Sequence, residues 1–212
     1  MEGEVAIPSG DVTLKATFTM PEAPTGVVAF AHGSGSSRHS PRNTYVAGVL
    51  NQAGCATVLA DLLTDQEEQV DLHTRQLRFD IGLLARRVTA TVDWLQSASE
   101  TAELAVGLFG ASTGAAAAIV AAAERPEAVR AVVSRGGRPD LAGGALPQVR
   151  APTLLIVGGL DHVVLELNQQ ALDLLPVEKN LVVVPGATHL FEEPGTLERV
   201  AELASAWFAQ HL

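Results

Sequence analysis

Residues 104–119 read LAVGLFGASTGAAAAI, an apolar run, a turn of small residues and a run of alanines. Leu104 to Phe109 predicts a strand buried on both faces, and Gly114 to Ala123 predicts a helix. Gly110 to Gly114 matches the pattern G-x-S-x-G. Between a strand and a helix, this pattern places a serine hydroxyl at the tip of a strained turn. Ser112 is therefore the first candidate for a reactive side chain.

The same alternation of buried strand and helix continues on both sides of this segment. Strands alternating with helices predict an α/β fold, a mostly parallel, doubly wound sheet with helices on both faces. The predicted strands cover 27–31, 56–60, 104–109, 128–133, 153–157 and 181–184. The predicted helices cover 46–53, 79–94, 114–123, 167–175 and 197–212.

The N-terminal segment and one later connection add detail to the predicted architecture. Val5 to Met20 reads as two short strands, with apolar and polar residues alternating from Val12 to Thr19, and the turn signal Ser9-Gly10-Asp11 between them predicts an N-terminal antiparallel hairpin. Only residues 136–151 separate two of the later strands, too few for a cap domain. We therefore expect one domain over residues 1–212 and an open site for small or surface-accessible substrates.

Composition and charge exclude several classes of partner. The formal net charge is −10 at pH 7, which argues against a nucleic-acid or anionic-membrane surface. Cys55 is the single cysteine, so there is no internal disulfide and no metal-ligand spacing. The start of the chain lacks the basic and apolar runs of a secretory signal, and no run approaches the roughly 20 apolar residues of a membrane span. The sequence thus predicts a cytoplasmic protein without a metal.

The loops that follow the predicted strands hold most of the candidate functional residues. Open sheets of this kind bind ligands beyond the carboxyl ends of their strands. The residues at those positions are His32-Gly33-Ser34-Gly35, Asp61, Gly110 to Gly114, Ser134-Arg135-Gly136-Gly137, Gly158 to Asp161, and Pro185 to His189.

His189 is the candidate general base for Ser112. A serine hydroxyl becomes nucleophilic when a base removes its proton and a third group orients that base. Of the six histidines, His189 alone follows the last strand through a short turn. We expect a packing role for His32 and no catalytic role for the remaining four, which are His39, His73, His162 and His211.

Asp161 is the candidate acid that orients His189. Asp140 is the alternative, but its position before Leu141 is typical of a helix cap. Asp61 precedes the nucleophile in the sequence. The order Ser112, Asp161, His189 is the order of nucleophile, acid and base in α/β-hydrolases.

The glycine-rich segment His32 to Ser37 is the candidate oxyanion loop. It lacks the lysine of a phosphate-binding P-loop, and Arg38 stands where a dinucleotide fingerprint needs its third glycine. The backbone N–H groups of Ser34 and Thr113 would together hold a tetrahedral intermediate's oxygen. A plain flexible turn is the alternative interpretation.

These motifs resemble the α/β-hydrolase superfamily, and within it the small dienelactone hydrolase-like branch, over Val27 to Leu212. The resemblance rests on His32 to Gly35, Gly110 to Gly114, Asp161 and Gly186 to Phe191. It implies an acyl-enzyme mechanism and no cofactor. Dienelactone hydrolases place a cysteine at the nucleophile, whereas this chain has Ser112, which favours ordinary ester or thioester cleavage.

Three arginines near the predicted strand ends could bind the substrate. Arg38, Arg42 and Arg135 could each clamp a carboxylate or phosphate of a small acyl substrate through paired hydrogen bonds. Alternatively, they pair with local acids such as Asp61 or Asp140 and brace the loops.

Several functions remain open at this point. A serine hydrolase that cleaves esters or thioesters is expected first. A lactone or dienelactone hydrolase and an acyltransferase would use the same three residues. A non-catalytic ligand-binding scaffold is the alternative from another class, although such proteins usually lose a member of the triad. The sequence leaves the oligomeric state open.

Overall fold

The computed structural model describes residues 1–212 and is built on one eight-stranded sheet. The order across the sheet is β1-β2-β4-β3-β5-β6-β7-β8. The β1–β2 and β2–β4 pairs are antiparallel, and every other pair is parallel. The strands are β1 (Glu2–Ser9), β2 (Val12–Thr19), β3 (Gly26–Ala31), β4 (Cys55–Ala60), β5 (Val106–Ala111), β6 (Val129–Arg135), β7 (Thr153–Gly158) and β8 (Lys179–Val184). The predicted hairpin and mostly parallel sheet are confirmed.

Six α-helices connect and cover the strands. They are α1 (Pro41–Gln52), α2 (Asp65–Thr74), α3 (Ile81–Ser97), α4 (Thr113–Glu124), α5 (His162–Leu174) and α6 (Thr196–His211). Two 3₁₀ segments, Leu77–Phe79 and Pro139–Gln148, complete the connections, and the second is kinked at Gly143. Only residues 136–152, which include this kinked segment, lie between β6 and β7, so the fold has no cap domain. No helix is long and apolar enough to cross a lipid bilayer.

The two faces of the sheet bury separate hydrophobic clusters. Successive residues of β3 show this most clearly: Val27 and Ala29 belong to one cluster, and Val28 and Phe30 belong to the other. The first cluster is completed by α3 and α4, and the second by α1 and α6. Since side chains alternate along a strand, a continuous apolar run is what two covered faces require.

The structure corrects three local predictions. Phe79 was expected on the long helix but lies in a 3₁₀ turn before α3, with 58% of its surface exposed. Asp140 was expected to cap a helix, yet it lies inside the first turn of the 3₁₀ segment and pairs with Arg138 at 2.8 Å. Arg135 was expected in a loop and is the last residue of β6. This last correction fixes the direction of the Arg135 side chain.

Candidate active site

Ser112 lies at a sharp turn between β5 and α4. Its φ is 50° and its ψ is −123°, a conformation that non-glycine residues rarely adopt. The turn is held from both sides, because the Ser112 N–H donates to the Arg135 carbonyl at 3.3 Å and the Ser112 carbonyl accepts from Arg138 at 3.0 Å. The hydroxyl therefore sits at the carboxyl edge of the sheet, at the amino terminus of α4. That helix end carries partial positive charge that favours a developing oxyanion.

Glycines allow this turn to press against the neighbouring strand. A Cβ atom on Gly114 would lie 2.2 Å from the Ala31 carbonyl oxygen, and one on Gly33 would lie 3.0 Å from the Ser112 Cβ. Backbone atoms of β3, its following loop and α4 thus approach more closely than any larger residue permits. The pattern of small residues around Ser112 has this steric cause.

Asp161 and His189 form a hydrogen-bonded pair at the same edge. The Asp161 Oδ2 and His189 Nδ1 atoms are 2.6 Å apart. A carboxylate can only accept, so Nδ1 carries the proton and Nε2 can accept one. The two loops are tied together, since the Leu160 N–H donates to the Ala187 carbonyl at 3.0 Å. The pair is arranged as a base and the acid that orients it.

Gly136 connects the position of His189 to that of Ser112. It directly follows Arg135, whose carbonyl accepts from the Ser112 N–H. A Cβ atom on Gly136 would lie 3.1 Å from the His189 carbonyl oxygen and 3.7 Å from the His189 Cε1. Ser112 and His189 therefore both lie against the end of β6, and Asp161 is bonded to His189, although the three residues are far apart along the chain.

The two candidate oxyanion residues are also adjacent. The Ser34 and Thr113 hydroxyl oxygens are 3.2 Å apart, which brings the loop after β3 against the first turn of α4. His32 fixes the start of this loop. Its Nδ1 donates to the Gly33 carbonyl and its Nε2 accepts from the Leu62 N–H, both at 3.0 Å. Burial lowers the pKa of His32, so the ring stays neutral and holds the backbone.

Helix α2 and the turn after it support the oxyanion loop, and the sequence analysis did not predict this helix. Helix α2 carries Asp71, which is buried and accepts from Arg78 Nε at 2.5 Å and from the Leu77 N–H at 2.8 Å. Arg78 in turn lies under Gly35, where a Cβ atom would be 3.3 Å from Nη1. The helix has no apolar stripe, which is why its pattern was not recognised. The capping box of Thr64 and Glu67 is the signal that could have revealed it.

The three candidate arginines have different surroundings. Arg38 donates to Asp61 through its backbone N–H at 2.7 Å and through its guanidinium, and it also pairs with Glu4 at 2.9 Å. Arg38 thus braces its loop, as the alternative interpretation expected. Arg42 makes one contact of 3.3 Å with Glu192. Arg135 is buried and its side chain makes no hydrogen bond within the protein.

The side chains of this edge do not assemble a metal site. No group of three or more His, Cys, Asp or Glu residues is placed to hold a metal ion. What the edge does assemble is the Ser112 hydroxyl with the bonded imidazole and carboxylate of His189 and Asp161.

Comparison with known proteins identifies the family of this chain. The sequence model of the dienelactone hydrolase family matches residues 14–211. The chain belongs to the dienelactone hydrolase family. A crystal structure of a dienelactone hydrolase from Anabaena variabilis is 61% identical, with a TM-score of 0.99 over 100% of this chain and 98% of that one. The α/β-hydrolase fold and the dienelactone hydrolase relationship expected from the sequence are thereby confirmed.

Two more distant members of the superfamily show the same fold. Est1E from Butyrivibrio proteoclasticus is 17% identical, with a TM-score of 0.82 over 98% of both chains. A serine hydrolase without a lid from Xanthomonas campestris is 20% identical, with a TM-score of 0.76 over 99% of this chain and 94% of that one. At these identities the likeness concerns the fold alone.

This chain also matches part of two longer proteins. Proteins from two strains of Mycobacterium tuberculosis, provisionally named phosphoribosyl transferases, are 61% identical over 209 residues. The match covers 99% of this chain and 46% of each relative. This chain therefore spans about half the length of the mycobacterial proteins.

Proposed function

We propose that this member of the dienelactone hydrolase family is a serine hydrolase that cleaves carboxylic ester or thioester bonds of a small substrate. The 2.6 Å pair of Asp161 and His189, beside a strained Ser112, is the observation that carries the proposal. Metal-free acyl transfer needs a nucleophile, a base and an orienting acid, and these residues supply one each.

The proposed reaction passes through an acyl-enzyme. His189 Nε2 takes the proton of the Ser112 hydroxyl as the oxygen attacks the acyl carbonyl. Asp161 stabilises the resulting imidazolium, and the N–H groups of Ser34 and Thr113 hold the oxyanion, each contributing about 3 kcal/mol to lowering the barrier. His189 then gives its proton to the leaving group. A water activated by the same imidazole attacks the acyl-enzyme, and the acid is released as Ser112 regains its proton.

Lactone hydrolysis is the second candidate. A lactone is a cyclic ester, so ring opening uses the same residues and leaves both parts of the substrate in one molecule. The 61% identity to the Anabaena variabilis dienelactone hydrolase favours this reaction. An acyltransferase would replace water with an alcohol or amine. We propose no phosphoribosyl transfer for this chain, because that name belongs to proteins about twice as long.

Covalent labelling tests the proposal directly. A fluorophosphonate should form one adduct, located by mass spectrometry at Ser112, and Ser112→Ala should form none. Asp161→Asn should label at least about 10³-fold more slowly, because the base loses the partner that fixes its tautomer.

Labelling also separates the candidate functions. Absence of an adduct in a folded sample would contradict the hydrolase mechanism and favour a ligand-binding scaffold. Given an adduct, faster turnover of lactones than of matched open-chain esters would favour the second candidate. Ester cleavage that yields acylated alcohol instead of free acid would favour an acyltransferase.

A further inference from the structure

We propose that Arg135 and Arg42 form an anion-binding subsite beside Ser112 that holds a phosphate group of the substrate. The subsite deepens the proposed hydrolase function and rests on it. Its residues belong to β6 and α1, and they lie outside the triad and the oxyanion loop.

The position of Arg135 at the end of β6 places its backbone beside the candidate nucleophile. Arg135 pairs with Ala111 across the β5–β6 register, and its carbonyl accepts from the Ser112 N–H. The preceding Ser134 points toward α4, since its Oγ occupies the space where a Cβ on Gly137 would sit. Side chains alternate along a strand, so Arg135 points to the other face, where α1 and α6 pack.

The Arg135 side chain is unusual for a buried arginine. It is only 7% exposed, and its Nη1 is sealed from solvent without a hydrogen-bond partner. Arg87 is equally buried, but it donates to the Ser9 carbonyl at 3.0 Å and to Glu67 at 2.7 Å. Buried charges in proteins are normally paired, so an unpaired guanidinium beside a candidate active site favours an anionic ligand at this position.

Arg42 adds a second positive charge on the face to which Arg135 points, where α1 packs. Its contact Glu192 directly follows Phe191, whose ring would lie 3.4 Å from a Cβ on Gly136, the residue after Arg135. Arg42 lies in the first turn of α1, a turn without acidic residues, where the helix terminus also favours an anion. Burial and the nearby charge of Arg42 lower the pKa of Arg135 to about 10, which leaves it protonated at neutral pH. Glu192 is the acid that faces Arg42, at 3.3 Å, and its side chain is 64% exposed. Such a carboxylate can turn into solvent when a ligand binds.

Two guanidinium groups offer more N–H donors than a carboxylate can use, and this favours phosphate as the ligand. A carboxylate offers two oxygens, which one guanidinium can satisfy by itself. A phosphate monoester offers three oxygens and carries a charge of about −1.5 to −2 at pH 7, which suits two guanidinium groups. We therefore expect the substrate to be an ester or lactone that also bears a phosphate.

Binding of inorganic phosphate tests the subsite without any catalytic readout. Phosphate should raise the Tm of the intact protein above that in potassium chloride of equal ionic strength, because it binds only the folded state. Arg135→Gln should lose this increase, whereas Arg130→Gln, an exposed arginine on the same strand, should keep it. In phosphate-free buffer Arg135→Gln should melt at or above the wild-type Tm, because the unpaired buried charge is gone.

A matched series of aryl esters tests the subsite during turnover. The acyl groups are 3-phosphonopropionate, succinate and butyrate, which are similar in length and differ in charge. We expect the highest kcat/KM for the phosphonate ester. Arg135→Gln should lower the phosphonate-to-butyrate ratio of kcat/KM about 10- to 100-fold, the range of a hydrogen bond to a charged group. Arg42→Gln should lower it by a smaller factor, and it serves as the second variant should Arg135→Gln fold poorly.

Three results would overturn the proposal. One is a wild-type Tm that responds to phosphate no more than to chloride. Another is a phosphate response that Arg135→Gln retains in full. The third is a preference for the succinate ester over the phosphonate ester. Failure of fluorophosphonate labelling would instead reject the hydrolase mechanism, and the phosphate titration would still decide the subsite.

Discussion

His32 shows how a single residue couples the stability of the fold to the geometry of the candidate active site. Its ring is buried at the start of the oxyanion loop, where one nitrogen donates to Gly33 and the other accepts from Leu62. A proton on Nε2 would face the Leu62 N–H donor and break that bond. The ring therefore supports the loop only in its neutral form, which agrees with the lowered pKa.

Stability should consequently fall at mildly acidic pH. The unfolded chain begins to bind a proton at this histidine near its ordinary pKa of 6.5, whereas the folded chain resists until the pH falls below its lowered pKa. Between those two values ΔG of unfolding drops as the pH falls. Above about pH 7 His32 no longer contributes to the pH dependence of stability. Urea unfolding from pH 7.5 to 5.0 should show a shallower decline for His32→Gln than for wild type. His73→Gln, at an exposed site on α2, is the control and should follow wild type; equal slopes for all three proteins would refute this role.

At the scale of elements, the candidate active site depends on the close packing of α4 against β3 and β5. Gly110 and Gly114 leave no room for a side chain, since added Cβ atoms would lie 2.4 Å from Ala115 Cα and 2.2 Å from the Ala31 carbonyl oxygen. The sequence predicted α4 from its alanines. The reason for those alanines is that a sheet and a helix in such contact can accept only small residues between them.

Gly114→Ala should therefore destabilise the protein although alanine is the better helix former. The propensity gain of about 1 kcal/mol is outweighed by backbone overlap, for a net loss of about 2 kcal/mol or more in ΔG of unfolding. Gly48→Ala in α1 is the matched control, because no atom lies within 4 Å of the added Cβ. That control should gain about 0.5–1 kcal/mol. Chemical denaturation of both variants measures the difference, and a stabilised Gly114→Ala would disprove the steric argument.

At the scale of the whole molecule, the repeating pattern of strands and helices was predictable from the sequence, whereas individual side-chain contacts were not. Buried strands alternating with helices determined the sheet, and the strand-end rule brought Ser112, Asp161 and His189 to one edge. The pairing of Arg38 with Asp61 had been an alternative expectation, but other contacts that depend on side-chain geometry were not predicted: the support from Asp71 under the oxyanion loop and the isolation of Arg135. Periodicity reports which face of an element is buried, whereas these contacts depend on the direction of individual side chains in the folded chain.

Because the candidate triad comes from the ends of β5, β7 and β8, it should exist only while the entire sheet is intact. We expect urea to abolish fluorophosphonate labelling and far-UV circular dichroism at the same midpoint, as for a two-state domain. The loops that carry Asp161 and His189 are tied to each other and to β8 by backbone hydrogen bonds, which argues against their separate opening. Labelling lost at a distinctly lower urea concentration would show that these loops open locally while the sheet remains folded. Hydrogen exchange at Leu160, whose N–H donates to Ala187, would then identify the opening directly.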